Sequence, residues 1–366
     1  QLALDDTYTD SFGREREINE VRSKLRTHSV SLIGGRRIGK TSTLRRLYDH
    51  FQDENSPIVS YFLDCHLVKD YKSLFRRILR HWNVEIDPNA DPAEFEDVVI
   101  QLASHHPNKK FVILMDEIDS LLEFDRRQPE YEWLFRTFRA VSNEQNCQFV
   151  FSGEKWLLAS AYDPYSALFN FTERVRIKPL PPKVVYELVS QPFEKLNIWV
   201  EKAEDIIDAI YRVSAGHPAI VQMICQAMVE ELSRNPLEAG LLQYQHLEIA
   251  LDRQELQKEI IETIWGQMNL LAKLVTLVWR EDQVFMTLDE IESALLALGI
   301  EYIDPKDLER TAEYLELYCF VRLHTGDKLE LIPTTFPVII DHLTNKKRLT
   351  QTVLNDYFKD LNENAA

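Results

Sequence analysis

Hydrophobic and polar positions in the first half of the chain follow two patterns in turn. Five short apolar runs are typical of buried strands, and they lie near residues 28–33, 57–63, 111–116, 147–152 and 173–178. The stretches between them carry apolar residues at helical spacing, as in Leu44, Leu47 and Phe51. Strands that alternate with helices build a parallel sheet covered by helices. The sequence therefore predicts an α/β domain with five parallel strands.

The pattern changes after Pro181 and Pro182. Residues 183–253 repeat apolar side chains at helical spacing with almost no strand signal, which predicts a helical domain. From about residue 255 we expect a helix, a short strand at 284–286, two more helices and a hairpin over 319–332. Elements in that order predict a winged helix.

Two local signals support the winged helix. Thr287 and Glu290 have the spacing of a capping box, in which each side chain binds the backbone N–H of the other residue. Asp304 and Pro305 are typical of the first positions of a helix. We therefore expect helices to begin at both places.

Composition indicates a globular protein of the cytoplasm. Hydrophobic residues make up 45% of the chain and charged residues 28%. No apolar run approaches the roughly 20 residues of a membrane-spanning helix, and no secretory leader is visible. The four cysteines are scattered in apolar stretches, which predicts buried free thiols rather than a metal site. We expect no membrane partner.

A phosphate-binding loop follows the first predicted strand. Residues 34–41 read G-G-R-R-I-G-K-T, which is the spacing of a Walker A loop, and a helical pattern comes next. Backbone N–H groups of such a loop converge on phosphate, Lys40 neutralises phosphate oxygens, and the Thr41 hydroxyl ligates Mg²⁺. We predict that ATP or ADP with Mg²⁺ binds the loop residues Gly34, Gly35, Arg36, Arg37, Ile38, Gly39, Lys40, Thr41 and Ser42. With this assignment, the predicted domains are a P-loop nucleotide-binding domain (1–180), a helical lid (181–254), a winged helix (255–345) and a tail (346–366).

Two adjacent acids end the third predicted strand, as in a Walker B element. Alternation along a strand points the two carboxylates differently. Asp116 is therefore expected at the metal, and Glu117 is expected to act as the base that activates water. Asp119 is expected to cap the next helix.

Other candidates each have a structural alternative. Ser152 ends the fourth strand where a γ-phosphate sensor would lie, or it only makes the turn. Arg174 and Arg176 share one side of the last strand, where one of them would stabilise γ-phosphate charge in its own subunit or a neighbouring one, or both are solvated or ion-paired.

Two further segments are candidates for contact with the nucleotide. His217 and Pro218 either pack on it or simply begin a helix. Phe12 belongs to a segment that either wraps the base or only opens the first helix.

These motifs resemble those of the signal-transduction ATPases with numerous domains (STAND), in particular their archaeal-type ATPase branch. The resemblance rests on four segments in this order: F-G-R-E-R-E at 12–17, the loop at 34–42, L-M-D-E-I-D at 114–119 and G-H-P at 216–218. It implies an AAA-like core, a lid whose proline contacts adenine, a winged helix and oligomerisation on activation, in bacterial members sometimes for defence. Many relatives have an arginine directly after the sensor strand, whereas this chain has Glu154 and Lys155.

Charge separates this resemblance from that to the origin-recognition initiators, which bind DNA with a similar winged helix. Residues 255–345 contain 17 acidic and 7 basic residues, and the net charge of the whole chain is -17. An acidic surface repels the phosphates of a duplex. We therefore expect other protein domains or subunits as partners and no nucleic acid.

The leading hypothesis is an ATP-driven conformational switch with slow hydrolysis that couples nucleotide state to protein–protein signalling. Two alternatives remain: an origin-recognition-like ATPase that binds DNA, and a scaffold that holds ADP without hydrolysing ATP.

Overall fold

The computed structural model describes residues 13–52, 56–68, 70–85, 87, 89, 91–127, 133–143, 147–234, 240–266, 268–280, 283–332, 340 and 345–364. The chain divides into two compact units. The first comprises Gln1–Gly34 and Gly39–Ile177, and the second comprises Gly35–Ile38 and Lys178–Ala366. Phe12, a candidate for the nucleotide site, lies outside the described residues. Among the described residues, no helix is both long enough and apolar enough to cross a membrane.

A five-stranded parallel sheet forms the centre of the first unit. Its strands are β1 (Ser29–Ile33), β2 (Ile58–Asp64), β3 (Lys110–Asp116), β4 (Cys147–Gly153) and β5 (Thr172–Arg176). Their order in the sheet is β2-β3-β4-β1-β5. The predicted α/β core with its five strands is confirmed. The order places β1, which leads into the phosphate loop, between β4 and β5.

Among the described residues of this unit, seven α-helices accompany the sheet: α1 (Glu15–Lys24), α2 (Lys40–Phe51), α3 (Tyr71–His81), α4 (Pro92–His105), α5 (Asp119–Arg126), α6 (Trp133–Asn143) and α7 (Lys155–Tyr162). Aromatic rings join α6 to the sheet, with the Phe138 and Phe149 centroids 4.7 Å apart. The apolar positions Leu44 and Leu47 of α2 are fully buried, as their spacing predicts. These buried apolar side chains pack the helices on the sheet, and the candidate site lies at the ends of its strands.

The second unit begins with five helices: α8 (Pro182–Lys195), α9 (Ala203–Ser214), α10 (Pro218–Arg234), α11 (Tyr244–Asp252) and α12 (Gln254–Trp265). The predicted helical character is present. Two short parallel strands, β6 (Trp199–Val200) and β7 (Leu241–Leu242), were not predicted. Each has only two residues, which is too short for a periodicity to emerge.

The rest of the second unit contains α13 (Leu270–Val278), β8 (Phe285–Thr287), α14 (Leu288–Ala297), α15 (Pro305–Leu317), β9 (Val321–His324), β10 (Lys328–Leu331) and α16 (Lys346–Asn364). The strands form an antiparallel sheet in the order β8-β10-β9. The elements follow the predicted order, and the winged-helix assignment and the domain boundaries stay predictions.

Local signals explain several helix ends in this region. The capping box is present: Glu290 N–H donates to Thr287 Oγ1 at 3.2 Å, and Thr287 N–H donates to Glu290 Oε2 at 2.8 Å. The single helix expected through Trp265 and Leu274 is wrong, because α12 ends at Trp265 and Asn269 caps a new helix. The segment predicted as a tail contains α16.

Candidate functional site

The phosphate loop connects β1 to α2. Its first residue, Gly34, donates its N–H to the carbonyl of Gly153 at 3.3 Å, which joins the loop to the end of β4. Gly39 precedes α2 with φ of 103°, a conformation that glycine adopts without strain. Lys40 and Thr41 are the first two residues of α2, so both stand at the positive end of a helix dipole. This end of the first unit is arranged for an anion.

Lys40 forms an ion pair that the sequence did not predict. Its Nζ lies 3.1 Å from Oε1 of Glu154, the residue after β4. The Lys40 side chain is only 4% exposed, and that of Glu154 is 18% exposed. Shielding from water strengthens such a pair compared with one at the surface. A carboxylate therefore holds the ammonium group that is predicted to bind phosphate.

Thr41 and the Walker B acids meet beside this pair. The Thr41 hydroxyl donates to Asp116 Oδ2 at 2.6 Å, and Asp116 is buried. Glu117 N–H donates to Asp116 Oδ1 at 3.1 Å, and Glu117 has φ of 53°, in the left-handed region. The separate roles of the two carboxylates, at the metal and as the base, stay a prediction.

The electrostatic environment of Glu117 is dominated by burial. Partial removal from water raises the pKa of the Glu117 carboxyl above its usual value. Lys40 lowers this pKa, while the charges on Asp116 and Glu154 raise it. A carboxylate with a raised pKa accepts a proton more readily near neutral pH, so the environment suits a general base.

Asp119 caps a helix other than the one expected. It begins α5, yet its carboxylate accepts the N–H groups of Glu154 at 2.5 Å, Trp156 at 2.6 Å and Leu157 at 3.4 Å, at the start of α7. The contact requires glycine at position 153, because a Cβ there would lie 2.3 Å from Asp119 Oδ2. Asp119 therefore fixes the backbone of Glu154.

Ser152 lies at the end of β4 with its side chain fully buried. Within the described part of the chain, its hydroxyl has no hydrogen-bond partner. An unsatisfied buried hydroxyl is costly and invites a ligand or water. The γ-phosphate sensor role stays a prediction.

Arg174 and Arg176 lie on β5, at the edge of the sheet. Both contact Tyr162: the Arg174 guanidinium carbon is 4.2 Å from the ring centroid, and Arg176 Nη2 donates to the hydroxyl at 3.1 Å. Both side chains therefore lie on one side of the strand, as alternation predicts. Arg176 pairs in register with Ile33, directly before the phosphate loop. Their role towards the γ-phosphate stays a prediction.

The middle of the phosphate loop, Gly35–Ile38, belongs to the second unit. Gly35 N–H donates to the Leu317 carbonyl at 3.1 Å. The hydrogen bond between His217 Nε2 and the Arg36 carbonyl is 3.1 Å long. A Cβ at position 35 would lie 2.8 Å from the Leu317 oxygen, so this approach needs glycine. His217 thus contacts the backbone of the loop.

The remaining candidates occupy ordinary positions. Arg36 and Arg37 are exposed, Ile38 is fully buried, and Ser42 is half-buried in the first turn of α2. Pro218 is the first residue of α10, the helix start that the sequence also allowed. Nucleotide contact by these residues stays a prediction.

Two charged residues near the loop were not chosen from the sequence. Glu154 was noted only as a departure from an arginine in related proteins. Arg14 is 3% exposed, and its guanidinium nitrogens lie 3.7 Å from the position of a Cβ built on Gly39. No local spacing indicates either contact, because the partners lie far apart in sequence.

Comparisons with known proteins support the assignment of the core. Residues 25–159 match the family model described as an AAA domain. A search of curated protein sequences gave no match.

Two solved structures share the fold of the chain. One is the Walker-type ATPase PABY2304 of Pyrococcus abyssi, with 17% identity and a TM-score of 0.60 over 91% of this chain and 96% of that chain. The other is the ORC2 protein of Aeropyrum pernix, solved as ADPNP–ADP complexes, with 14% identity and a TM-score of 0.58 over 94% of this chain and 92% of that chain. Together with the phosphate loop, the family match supports a P-loop ATPase core of the AAA type within residues 25–159, and the two structures share the fold.

Proposed function

We propose that the chain is a conformational switch that binds and hydrolyses ATP. The observation that carries this proposal is the 2.6 Å hydrogen bond from the Thr41 hydroxyl to Asp116. It brings the loop and the Walker B strand together with Lys40 in the first unit. Hydroxyl and carboxylate oxygens are donors that Mg²⁺ prefers, so Thr41 and Asp116 fit this ion. When bound, Mg²⁺ neutralises charge on the phosphates.

The residues of the first unit divide the remaining chemistry. Backbone N–H groups at the start of α2 and the Lys40 ammonium bind phosphate oxygens. Glu117 accepts the proton of the attacking water, a role that its raised pKa favours. Asp116 accepts the Thr41 hydroxyl at 2.6 Å and is the acid we assign to the metal, whereas Glu117 is assigned to the water.

The second unit supports a switch rather than a plain hydrolase. It contains the middle of the phosphate loop, bound through Gly35 to Leu317 and through Arg36 to His217. A ligand shifts a conformational equilibrium only through contacts that differ between states. A loop that rearranges around phosphate changes these two hydrogen bonds directly. The output is interaction with other protein domains or subunits, including oligomerisation.

Calorimetry on ligand-free protein tests nucleotide binding. We expect heat of association with ATP and ADP in the presence of Mg²⁺, and none for Lys40→Ala. Lys155→Ala removes an exposed lysine three residues after Ser152 and serves as the matched control, which should bind normally. A wild-type chain that binds neither nucleotide would refute the proposal.

A turnover assay tests hydrolysis separately. Glu117→Gln keeps the shape of the side chain but cannot accept a proton as a carboxylate does, so we expect intact binding without phosphate release. An unchanged rate in this variant would remove Glu117 from the role of base. Tightly bound ADP without turnover in the wild-type chain, even with partners added, would instead indicate a scaffold.

A second candidate is a DNA-binding ATPase of the origin-recognition type. It is favoured by the structural similarity to the ORC2 protein, which extends over 94% of this chain. The charge of α15 opposes it: Asp307 and Glu309 are exposed beside Arg310, and Asp307 pairs with Arg310 at 3.5 Å. Micromolar affinity for duplex DNA that falls steeply with salt would favour this candidate.

A further inference from the structure

We propose that Glu154 sets the preference of the site between nucleoside triphosphate and diphosphate, an inference that rests on the proposed function. Its carboxylate pairs with Lys40, so it competes with phosphate oxygens for this cation. Glu154 thus acts on specificity through Lys40 and is not a catalytic residue.

Glu154 and the phosphate of a nucleotide compete for one cation, the Lys40 ammonium group. Glu154 Oε1 lies 3.1 Å from Lys40 Nζ, which is hydrogen-bond distance. Phosphate oxygens of a nucleotide in a Walker A loop take the same distance from the lysine. The Lys40 ammonium group therefore already has a carboxylate partner, and a phosphate binds it only if the ion pair with Glu154 is broken.

The backbone of Glu154 is anchored separately from its carboxylate. Its backbone N–H is fixed by Asp119, which also binds the first turn of α7 through Trp156 and Leu157. Gly153 before it allows this close approach, because a Cβ there would lie 2.3 Å from Asp119 Oδ2 and 2.9 Å from Ile118 Cγ2. The carboxylate therefore stays near the site in every state that keeps this cap, even after Lys40 turns to phosphate.

Negative charges near Lys40 then discriminate between the two nucleotides. Glu154 Oε1 lies 3.1 Å from Lys40 Nζ, and Asp116 Oδ2 lies 2.6 Å from the hydroxyl of the next residue, Thr41. The Lys40 ammonium binds β- and γ-phosphate oxygens of a triphosphate but only the β-phosphate of a diphosphate. Because a γ-phosphate adds negative charge next to Glu154, repulsion penalises the triphosphate more than the diphosphate.

The test is the ratio of affinities for a non-hydrolysable ATP analogue and for ADP, measured by calorimetry with Mg²⁺. We expect Glu154→Gln, which removes the charge and keeps the shape, to bind the analogue roughly tenfold more tightly and ADP less than threefold more tightly. The difference should shrink at high salt, because screening weakens the repulsion that the variant removes. Glu154→Asp keeps the charge and should stay close to the wild type.

The matched control is Glu173→Gln. Glu173 lies in the same unit and pairs with Lys24 at 3.6 Å, with half of its side chain exposed. The substitution makes the same change in net charge away from Lys40, so it should leave the ratio unchanged. Amide exchange at Trp156 and Leu157 shows whether the cap on α7 survives in each variant.

The outcomes separate the two proposals. If wild type and Glu154→Gln both bind nucleotide with the same ratio of affinities, or if the variant binds the analogue more weakly, the inference about Glu154 is wrong and the proposed function stands. If neither protein binds nucleotide, both are wrong. Binding by the variant alone would refute the proposed function of the wild-type chain, and with it the preference that Glu154 is proposed to set.

Discussion

Replacement of Asp119 by alanine should destabilise the first unit through the loss of one side chain that binds three backbone groups. The carboxylate accepts N–H groups of Glu154, Trp156 and Leu157. Each donor left buried without a partner costs about 1–3 kcal/mol, and water reaching the end of the helix recovers part of this. We therefore expect Asp119→Ala to lower the free energy of unfolding by about 2–4 kcal/mol.

Two variants calibrate this value. Asp91 is an exposed cap that accepts one N–H, from Glu94 at 2.9 Å, so Asp91→Ala should cost only about 1 kcal/mol. Asp119→Asn keeps an amide oxygen that accepts two of the three N–H groups. Burial raises the pKa of the Asp119 carboxyl against the lowering effect of its donors, so removal of the charge is itself inexpensive. Asp119→Asn should therefore fall between the two alanine variants.

Urea unfolding measures the overall effect, and hydrogen exchange resolved by mass spectrometry locates it. In Asp119→Ala the peptides that contain the amides of Trp156 and Leu157 should exchange roughly 30- to 1000-fold faster, which is the same free energy expressed as a rate. Peptides of α3 should lose no more protection than the drop in the free energy of global unfolding accounts for. Equal losses for Asp119→Ala and Asp91→Ala would refute the reasoning, because the count and burial of the donors would then have no effect.

Three further predictions concern other parts of the chain. Gly216→Ala should lower the free energy of unfolding in urea by several kcal/mol more than Gly299→Ala. Both glycines have positive φ, but a Cβ at 216 would lie 2.2 Å from the Leu180 carbonyl oxygen, whereas a Cβ at 299 would meet nothing within 4 Å. Equal losses for the two variants would contradict this. Cys147, which is buried in β4, should react with iodoacetamide only after unfolding, since burial raises the pKa of its thiol, and rapid alkylation of this residue in the native chain at pH 8 would be the contrary result. Thr287→Ala should lower the free energy of unfolding by about 0.5–2 kcal/mol through loss of the capping box at α14, whereas Thr287→Ser should cost little; an alanine variant as stable as the serine one would argue against the cap.

The sequence predicts the features of this chain that depend on neighbouring residues. Strands β1 to β4 of the first unit appear because each is a largely apolar run, which a buried parallel sheet requires, whereas the edge strand β5 carries three charged residues. The cap at Thr287 appears because its partner is three residues away. The loop at 34–41 is recognisable because phosphate binding needs a fixed local spacing.

Contacts between distant residues escaped prediction for a physical reason. Lys40 and Glu154 are 114 positions apart, and only the pairing of β1 with β4 brings their strand ends together. Asp119 lies shortly after β3, so the sequence predicts that it caps the helix that follows this strand. In the structure its carboxylate instead accepts three N–H groups that follow β4. The break between helices before Asn269 depends on tertiary packing, which the spacing of apolar residues along the chain does not reveal.

These distant contacts converge on one connection inside the first unit. Asp116, Glu117 and Asp119 lie within four consecutive positions at the end of β3, and Asp119 accepts the N–H of Glu154. Glu154 in turn pairs with Lys40 at the start of α2, so these contacts return to the phosphate loop. The acids proposed to serve hydrolysis and the acid proposed to control affinity are thus joined through Asp119.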